Sequence, residues 1–269
     1  MLDVAKLFRC PSCKKDELGF HSRQFMCPSC GSGYPERSNY FDLVDVHSLG
    51  GEPEPSSNEQ RLMESELVAR AYERFWRPAF VRMIAGKGSA SSTGGFPGEF
   101  FIHKNSLGME DREGPWLDLS CATGMFSRAM AGACPGDWVI GLDISRAMLD
   151  VASKRGKGYS NLLFVRADVH DIPLKDESIS GVNNAGALHV YDDLEAGLAE
   201  VFRVLKPGGV YVGSTFSPAT TKVRRVFAKA AGVRRFAPAV LGAWLSRIGF
   251  ADYEEVSLGE TFIFRARKP

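Results

Sequence analysis

Trp116-Leu117-Asp118-Leu119-Ser120-Cys121-Ala122-Thr123-Gly124-Met125-Phe126 passes from an apolar run through small residues into a helical pattern. The run Trp116–Leu119 reads as a buried strand. The small residues at 120, 122 and 124 let backbone approach a ligand closely. A dinucleotide fingerprint would need G-x-G-x-x-G to admit a pyrophosphate, and only Gly124 is present. A nicotinamide cofactor is therefore disfavoured.

Downstream, short apolar runs alternate with helical stretches. Further strands are expected at 138–142, 162–166, 179–183 and 210–214, and near 253–257 and 261–266. Helices are expected at 126–133, 146–154 and 194–205, the last with Leu194, Leu198, Val201, Phe202 and Leu205 on one face. Such alternation predicts an α/β fold: a Rossmann-like, doubly wound, mostly parallel seven-stranded sheet with helices on both faces. Right-handed crossovers gather the strand C-terminal ends on one edge, where ligands bind.

The informative acids fall on that edge. Asp143 ends Val139-Ile140-Gly141-Leu142-Asp143, about 20 residues after the small-residue turn, where a carboxylate suits two ribose hydroxyls. Asp168, in Phe164-Val165-Arg166-Ala167-Asp168-Val169, ends the next strand and could accept from an exocyclic amine such as adenine's. Any one of these acids alone reads more often as a solvated turn or a helix cap. In register they describe a nucleoside site without a phosphate cradle, as S-adenosylmethionine requires.

The N-terminus carries Cys10-Pro-Ser-Cys13 and Cys27-Pro-Ser-Cys30. Two C-x2-C pairs separated by a short loop supply four thiolates for a tetrahedral, structural Zn2+ with no open position. Two disulfides are the alternative. They fit poorly, since no signal peptide precedes Cys10 and no further cysteine framework follows. Redox chemistry fits less well still, without a surrounding βαβ pattern. Residues 1–46 read as the zinc ribbon, with strands around Phe20, Phe25 and 41–44. Residues 47–110 read as a linker and N-terminal helical cap, in which 47–57 is Pro/Gly/Ser linker and Ser57-x-x-Gln60 a capping box. The cap helix carries Val68, Tyr72, Phe75, Trp76 and Ala79 on one stripe, must kink or stop before Pro78, and gives way to loop at 86–98. Residues 111–269 form the main domain, with 216–248 as a substrate lid.

The chain's 269 residues suffice for a small module and one full-sized domain, and 44% hydrophobic with 24% charged content is ordinary for a globular protein. A net charge of +1 gives no basic field demanding nucleic acid. No apolar run approaches the ~18 residues of a membrane span. Reduced cysteines favour the cytoplasm, or a plastid had a transit peptide been removed.

Residues 116–214 resemble class I S-adenosylmethionine-dependent methyltransferases. The likeness rests on 117–126, on Gly141-Leu142-Asp143-Ile144-Ser145-Arg146-Ala147-Met148-Leu149, on Ala167-Asp168-Val169 with Ile172-Pro173-Leu174, and on Val204-Leu205-Lys206-Pro207-Gly208-Gly209. The resemblance implies that Asp118 and the backbone of Ser120, Ala122 and Gly124 hold the methionyl part. It implies that Asp143 binds ribose, that Ile144 and Met148 flank adenine, and that Asp168 and Val169 read its edge. Asn184 or Ala185 would meet the methionyl amine. Ser120 and Ala122 depart from the family by replacing its usual glycines. A narrower likeness adds the cysteine pairs, residues 71–77 (Ala-Tyr-Glu-Arg-Phe-Trp-Arg), residues 94–98 (Gly-Gly-Phe-Pro-Gly) and Ala187-Leu188-His189. These look like a plant and cyanobacterial group of methyltransferases, many of them plastid-targeted. A more distant likeness is to large-subunit rRNA guanine-N1 methyltransferases, which also place a cysteine-rich module before the catalytic domain.

Methyl transfer from a sulfonium releases a neutral thioether, so it needs no general acid and mainly needs alignment. A base is required only where the acceptor must lose a proton. His189, then Tyr191, are the catalytic candidates; the plainer reading is that His189 packs the wall. Residues 220–235 hold six basic residues and no acid. They fit a solvated lid helix, a contact with an acidic substrate or membrane surface, or an RNA contact, the last weakened by the absence of interleaved aromatics. The leading expectation is methylation of a small or lipophilic organic molecule. An rRNA base methyltransferase gripping RNA through the ribbon, and a cofactor-binding protein whose ribbon is a docking module, are the alternatives.

Overall fold

The computed structural model describes residues 2–15, 18–45, 58–92 and 94–269. The 47–57 linker and the Ser57 end of the capping box lie outside them. The chain opens with α1 (Leu2–Ala5), β1 (Gly19–His21), β2 (Gln24–Met26), β3 (Gly33–Arg37) and β4 (Tyr40–Asp42). Next come α2 (Asn58–Met63), α3 (Glu66–Ala71), a π-helical turn at Tyr72–Trp76, α4 (Arg77–Ser92) and α5 (Phe96–Leu107). The main domain follows as β5 (Trp116–Leu119), α6 (Met125–Ala133), β6 (Val139–Asp143), α7 (Arg146–Gly156), β7 (Leu162–Arg166) and β8 (Ile179–Ala185). It closes with α8 (Leu194–Val204), β9 (Leu205–Phe216), α9 (Lys222–Ala230), α10 (Pro238–Ile248), β10 (Ala251–Leu258) and β11 (Thr261–Arg267).

β7-β6-β5-β8-β9 are parallel, and β11 and β10 complete the order with β11 antiparallel to both neighbours. This is the doubly wound sheet expected. Its central strands are apolar on both faces because helices cover both; β5 is buried at every position. Two of the helices that flank the sheet start at side-chain caps. Ser145 and Asp193 accept N–H bonds from Met148 and Ala196 at the starts of α7 and α8.

The sheet is wider than the seven strands expected. β4 pairs in parallel with β7, Phe41 opposite Val165 and Asp42 opposite Arg166, so the four ribbon strands extend it to eleven. One core runs through both parts: Phe8, Phe25 and Phe41 belong with Leu163, Val165 and Leu174. β3 is not among the strands expected for the ribbon. The cap departs from expectation as well. The helical backbone is not broken at Pro78, which sits at the second position of α4, but at Gly86, with φ 84° and ψ 172°. α5 begins inside the expected 86–98 loop, with Gly95 before it and Pro97 in its first turn.

Phe164 of β7 decides how closely these layers meet. Cβ atoms built at Gly124, Gly141 and Gly156 would lie 2.6, 2.7 and 2.6 Å from its ring. The ring therefore fills a niche that exists only because a loop, a strand and a helix each lack a side chain there. Gly141→Ala is expected to destabilise the protein, and more so than the same substitution in a Phe164→Leu background, where the ring no longer opposes the new methyl. Phe164→Ala alone should lose about 3–5 kcal/mol by cavity formation. Urea unfolding of the single and double variants checks both; additive losses would show that the niche is not shared.

Candidate functional site

A crevice of about 380 Å³ opens at the C-terminal edge of the sheet. Ser120, Ala122, Asp143, Ile144 and Met148 line one part, and Asp168, Val169, Ala185, His189 and Tyr191 another. Ten of the positions singled out in the sequence thus share one cavity. Asp143 ties its two sides together: Oδ2 accepts the Ala122 N–H at 2.8 Å and Oδ1 the Ser145 N–H at 2.9 Å. Burial raises its pKa, and these amides oppose the shift. Asp168 Oδ1 accepts from the His170 backbone N–H at 2.9 Å and lies 2.7 Å from His170 Nδ1. Burial pushes the Asp168 carboxyl up, but the His170 contacts outweigh it and hold it below the usual range.

The loop 120–124 reaches the crevice through left-handed backbone: φ is 56° at Ser120, 47° at Ala122 and 72° at Gly124. The two non-glycines carry conformations that ordinarily cost ~1–2 kcal/mol each. Ser120 gains a partner in exchange, since its Oγ lies 2.8 Å from the Tyr191 hydroxyl. Asn184 donates through Nδ2 to the same hydroxyl. Burial drives the Tyr191 pKa far above the ordinary phenol value despite both contacts.

Three expected residues stand behind the wall. Gly124 lies against Phe164. Asn184 is fully buried and spends its amide on Tyr191. Asp118 departs from its implied contact with the methionyl group: its carboxylate accepts from Ser127 Oγ at 2.5 Å and from Asn183 Nδ2 at 2.7 Å, inside the sheet. Asn183 Oδ1 in turn meets His103 Nδ1 of α5 at 2.6 Å. Burial pushes the Asp118 pKa up to about 6, against the pull of Ser127 and Asn183.

The cap supplies what the sequence reading left unassigned. Trp76 and Phe80 stack at 6.3 Å, Phe80 and His189 at 5.8 Å, and Phe216 meets His189 edge-on at 5.2 Å. His189 is thus one plate of an aromatic wall. Glu73, on the π-helical turn, accepts from Thr123 Oγ1 at 2.7 Å and Arg128 at 2.9 Å and pairs with Arg155 at 2.8 Å. The cap is thereby pinned to the 120–124 loop. The only signal for Glu73 was its place in the 71–77 segment, and Trp76 was marked there and on the cap's apolar stripe; nothing in the spacing pointed to Phe80 or Phe216.

At the ribbon tip, Cys10, Cys13, Cys27 and Cys30 bring four sulfurs within 4.8 Å of one another. Cys10–Cys30 and Cys13–Cys27 are each separated by 3.6 Å. Zn–S bonds of ~2.3 Å place tetrahedral sulfurs ~3.8 Å apart, so the spacing fits zinc. The Tyr34 hydroxyl, 3.3 Å from Cys10 Sγ, can donate to a thiolate there. The ribbon bears on the crevice wall without lining it. Asp42 of β4 accepts from Arg166 Nη1 at 3.2 Å and from Arg146 at 3.2 Å, while Arg166 Nε donates to the Ile144 carbonyl at 2.9 Å.

A family model for a methyltransferase domain matches residues 117–213. Over its whole length the chain is 31% identical to an uncharacterized chloroplastic methyltransferase of Arabidopsis thaliana, of which it spans 80%. It is 40% identical over 110 residues to a demethylmenaquinone methyltransferase of Clavibacter sepedonicus, covering 40% of this chain and 44% of that one. A structure of Haemonchus contortus phosphoethanolamine N-methyltransferase 2, with phosphomonomethylethanolamine and S-adenosylhomocysteine, superposes with a TM-score of 0.62 at 16% identity, over 77% of this chain and 60% of that one. The chain belongs to the S-adenosylmethionine-dependent methyltransferases. Within them its full-length likeness is to the Arabidopsis protein. Among the described residues, no helix is long and apolar enough to cross a membrane.

Two outcomes follow from this geometry. Asp118 binds its proton more tightly folded (about 6) than at its ordinary value of 3.8. Its contribution to stability is therefore full below pH ~4 and is lost as pH rises to ~6, on the order of 3 kcal/mol. Asp118→Asn, which keeps partners in Asn183 and Ser127, should flatten the dependence of the urea midpoint between those values; an unchanged slope would place the titration elsewhere. Stripping metal with a chelator should lower Tm and also weaken S-adenosylmethionine binding, because β4 holds Arg166 against the Ile144 carbonyl. Calorimetry on chelated and zinc-restored protein reads both, and unaltered cofactor affinity would uncouple the ribbon from the crevice.

Proposed function

We propose that the protein transfers a methyl group from S-adenosylmethionine to a small, lipophilic organic acceptor. The observation that carries the acceptor class is the aromatic wall of Trp76, Phe80, His189 and Phe216. Such a wall favours an apolar ring or chain over a phosphate backbone. The demethylmenaquinone methyltransferase relative is consistent with an organic acceptor.

The donor supplies a sulfonium methyl whose leaving group is neutral. In this reading Asp143 takes the ribose hydroxyls. Each of its oxygens has one backbone N–H and keeps acceptor capacity. Ile144 and Met148 face the adenine, and Asp168 accepts from its amine through the oxygen that His170 leaves open, beside Val169. The methionyl part lies along Ser120 and Ala122, with Ala185 on the wall to meet its amine. Asp118, Gly124 and Asn184 act from behind: Asp118 fixes β5 against β8, Gly124 lets the loop sit on Phe164, and Asn184 sets Tyr191.

Tyr191 is a poor base, with a raised pKa and a hydroxyl already held by Ser120 and Asn184. His189 lies on the wall itself and takes the acceptor's proton. The plastid named for the Arabidopsis relative is the proposed compartment, and the four-sulfur centre is a structural zinc site.

Incubation with methyl-labelled donor and a fractionated extract should place label in organic-soluble material; label in RNA or protein would overturn the acceptor class. On the acceptor so isolated, His189→Phe should lower kcat by ~10²–10⁴ with donor affinity intact. Asp143→Ala should abolish donor binding in calorimetry, and retained affinity would refute the ribose assignment.

A further inference from the structure

α9 is an amphipathic helix turned inside out. Ala228 is its buried residue, packed with Ile84, Ala85, Phe216 and Val233. Arg224 also faces inward, where Nη1 donates to Glu260 at 2.6 Å and the guanidinium lies against Gly86. At 100° per residue the opposite side carries Val223, Val226 and Ala230, with Phe227 at its edge. These apolar groups are in solvent: Val223 is 79% exposed, Val226 69% and Phe227 40%. Along one flank lie Lys222, Arg225 and Lys229, all exposed and without an ion pair among the described residues. The carboxylate that pairs with the helix, Glu260, is 3% exposed and is taken by Arg224, Arg235 and Thr220. The helix therefore presents an uncompensated row of cations beside an uncovered aliphatic stripe.

We infer that α9 docks the protein on an anionic lipid bilayer, with Val223, Val226 and Phe227 in the acyl boundary and Lys222, Arg225 and Lys229 on the headgroups. Apolar stripe and flanking cations on one exposed side are the composition of an in-plane interfacial helix. A second copy of the chain is a worse occupant, because an antiparallel two-fold contact would bring the like-charged flanks together and a parallel one would leave both rows of cations without anions. An acidic protein would answer the cations but leave three aliphatic or aromatic groups to be matched. The inference goes beyond the proposed acceptor and does not depend on it, since binding is read without turnover.

The test is co-sedimentation of the full chain with vesicles of phosphatidylcholine alone and of phosphatidylcholine mixed with phosphatidylglycerol. The protein should partition onto the mixed vesicles and release as salt rises. Arg225→Gln with Lys229→Gln should weaken partitioning roughly fivefold per charge removed. Val223→Ser with Val226→Ser should weaken it by about tenfold or more. All four positions are exposed, so unfolding midpoints should match the parent, and Lys222→Gln gives an independent single-charge readout. Equal binding to neutral vesicles, no effect of either double variant, dimerisation relieved by the valine variant, or retention on polyglutamate as strong as on vesicles would each overturn the inference.

Discussion

The two backbone amides of Ala122 and Ser145 converge on one carboxylate, and most of the rim depends on that junction. Asp143 ends β6; its oxygens hold the small-residue loop on one side and the start of α7 on the other. Ser145 then caps α7 by accepting the Met148 N–H, which brings Met148 into the crevice. A carboxylate at such a depth resists ionisation, and amide donors are what make the charged form tolerable. The same geometry leaves part of each oxygen's acceptor capacity unspent. Rigidity of the loop and spare acceptor capacity at the crevice therefore come from one side chain.

Strain in that loop has a structural use. Ser120 and Ala122 occupy left-handed backbone where glycine would be free. Ser120 returns a side-chain contact that glycine could not make: its hydroxyl meets Tyr191, which Asn184 also holds. The end of β5, the end of β8 and the turn after β8 are thereby fixed to one another. Glu73 does the same from the cap, with Thr123, Arg128 and Arg155 as its partners. A π-helical turn at Tyr72–Trp76 changes the helical phase where this contact forms. It allows Glu73 to reach the loop while Trp76 remains on the aromatic wall.

The parallel strands were legible because apolar runs of four to seven residues bounded by turn residues have few other readings. Asp143 and Asp168 were legible for a related reason: a polar side chain at the end of such a run sits on the rim wherever the sheet is parallel. Asp118 lacked that protection. It lies inside β5, where both faces are buried, and the sequence carries no sign of which way its carboxylate turns. α5 was hidden by its own start signals, since Gly94, Gly95 and Pro97 read as loop until the helix beyond them is seen. The aromatic wall was illegible because Trp76, Phe80, His189 and Phe216 come from three separate segments. Sequence spacing says nothing about that meeting.

The ribbon's union with the sheet was hidden for the same reason, and it gives the four-cysteine module a second means of support. A module of four short strands cannot bury enough apolar surface to be stable alone, which is the usual reason for a metal staple. Here Phe8, Phe20, Phe25 and Phe41 pack at centroid distances of 4.8–5.7 Å, and that cluster merges with the main core. β4 contributes only a short parallel pairing with β7. That pairing nonetheless covers an edge that would otherwise expose unpaired backbone beside Asp143 and Arg166. Asp42 then fixes Arg166, and Arg166 fixes the Ile144 carbonyl. The small module thus bears on the crevice through the sheet rather than by reaching into the site.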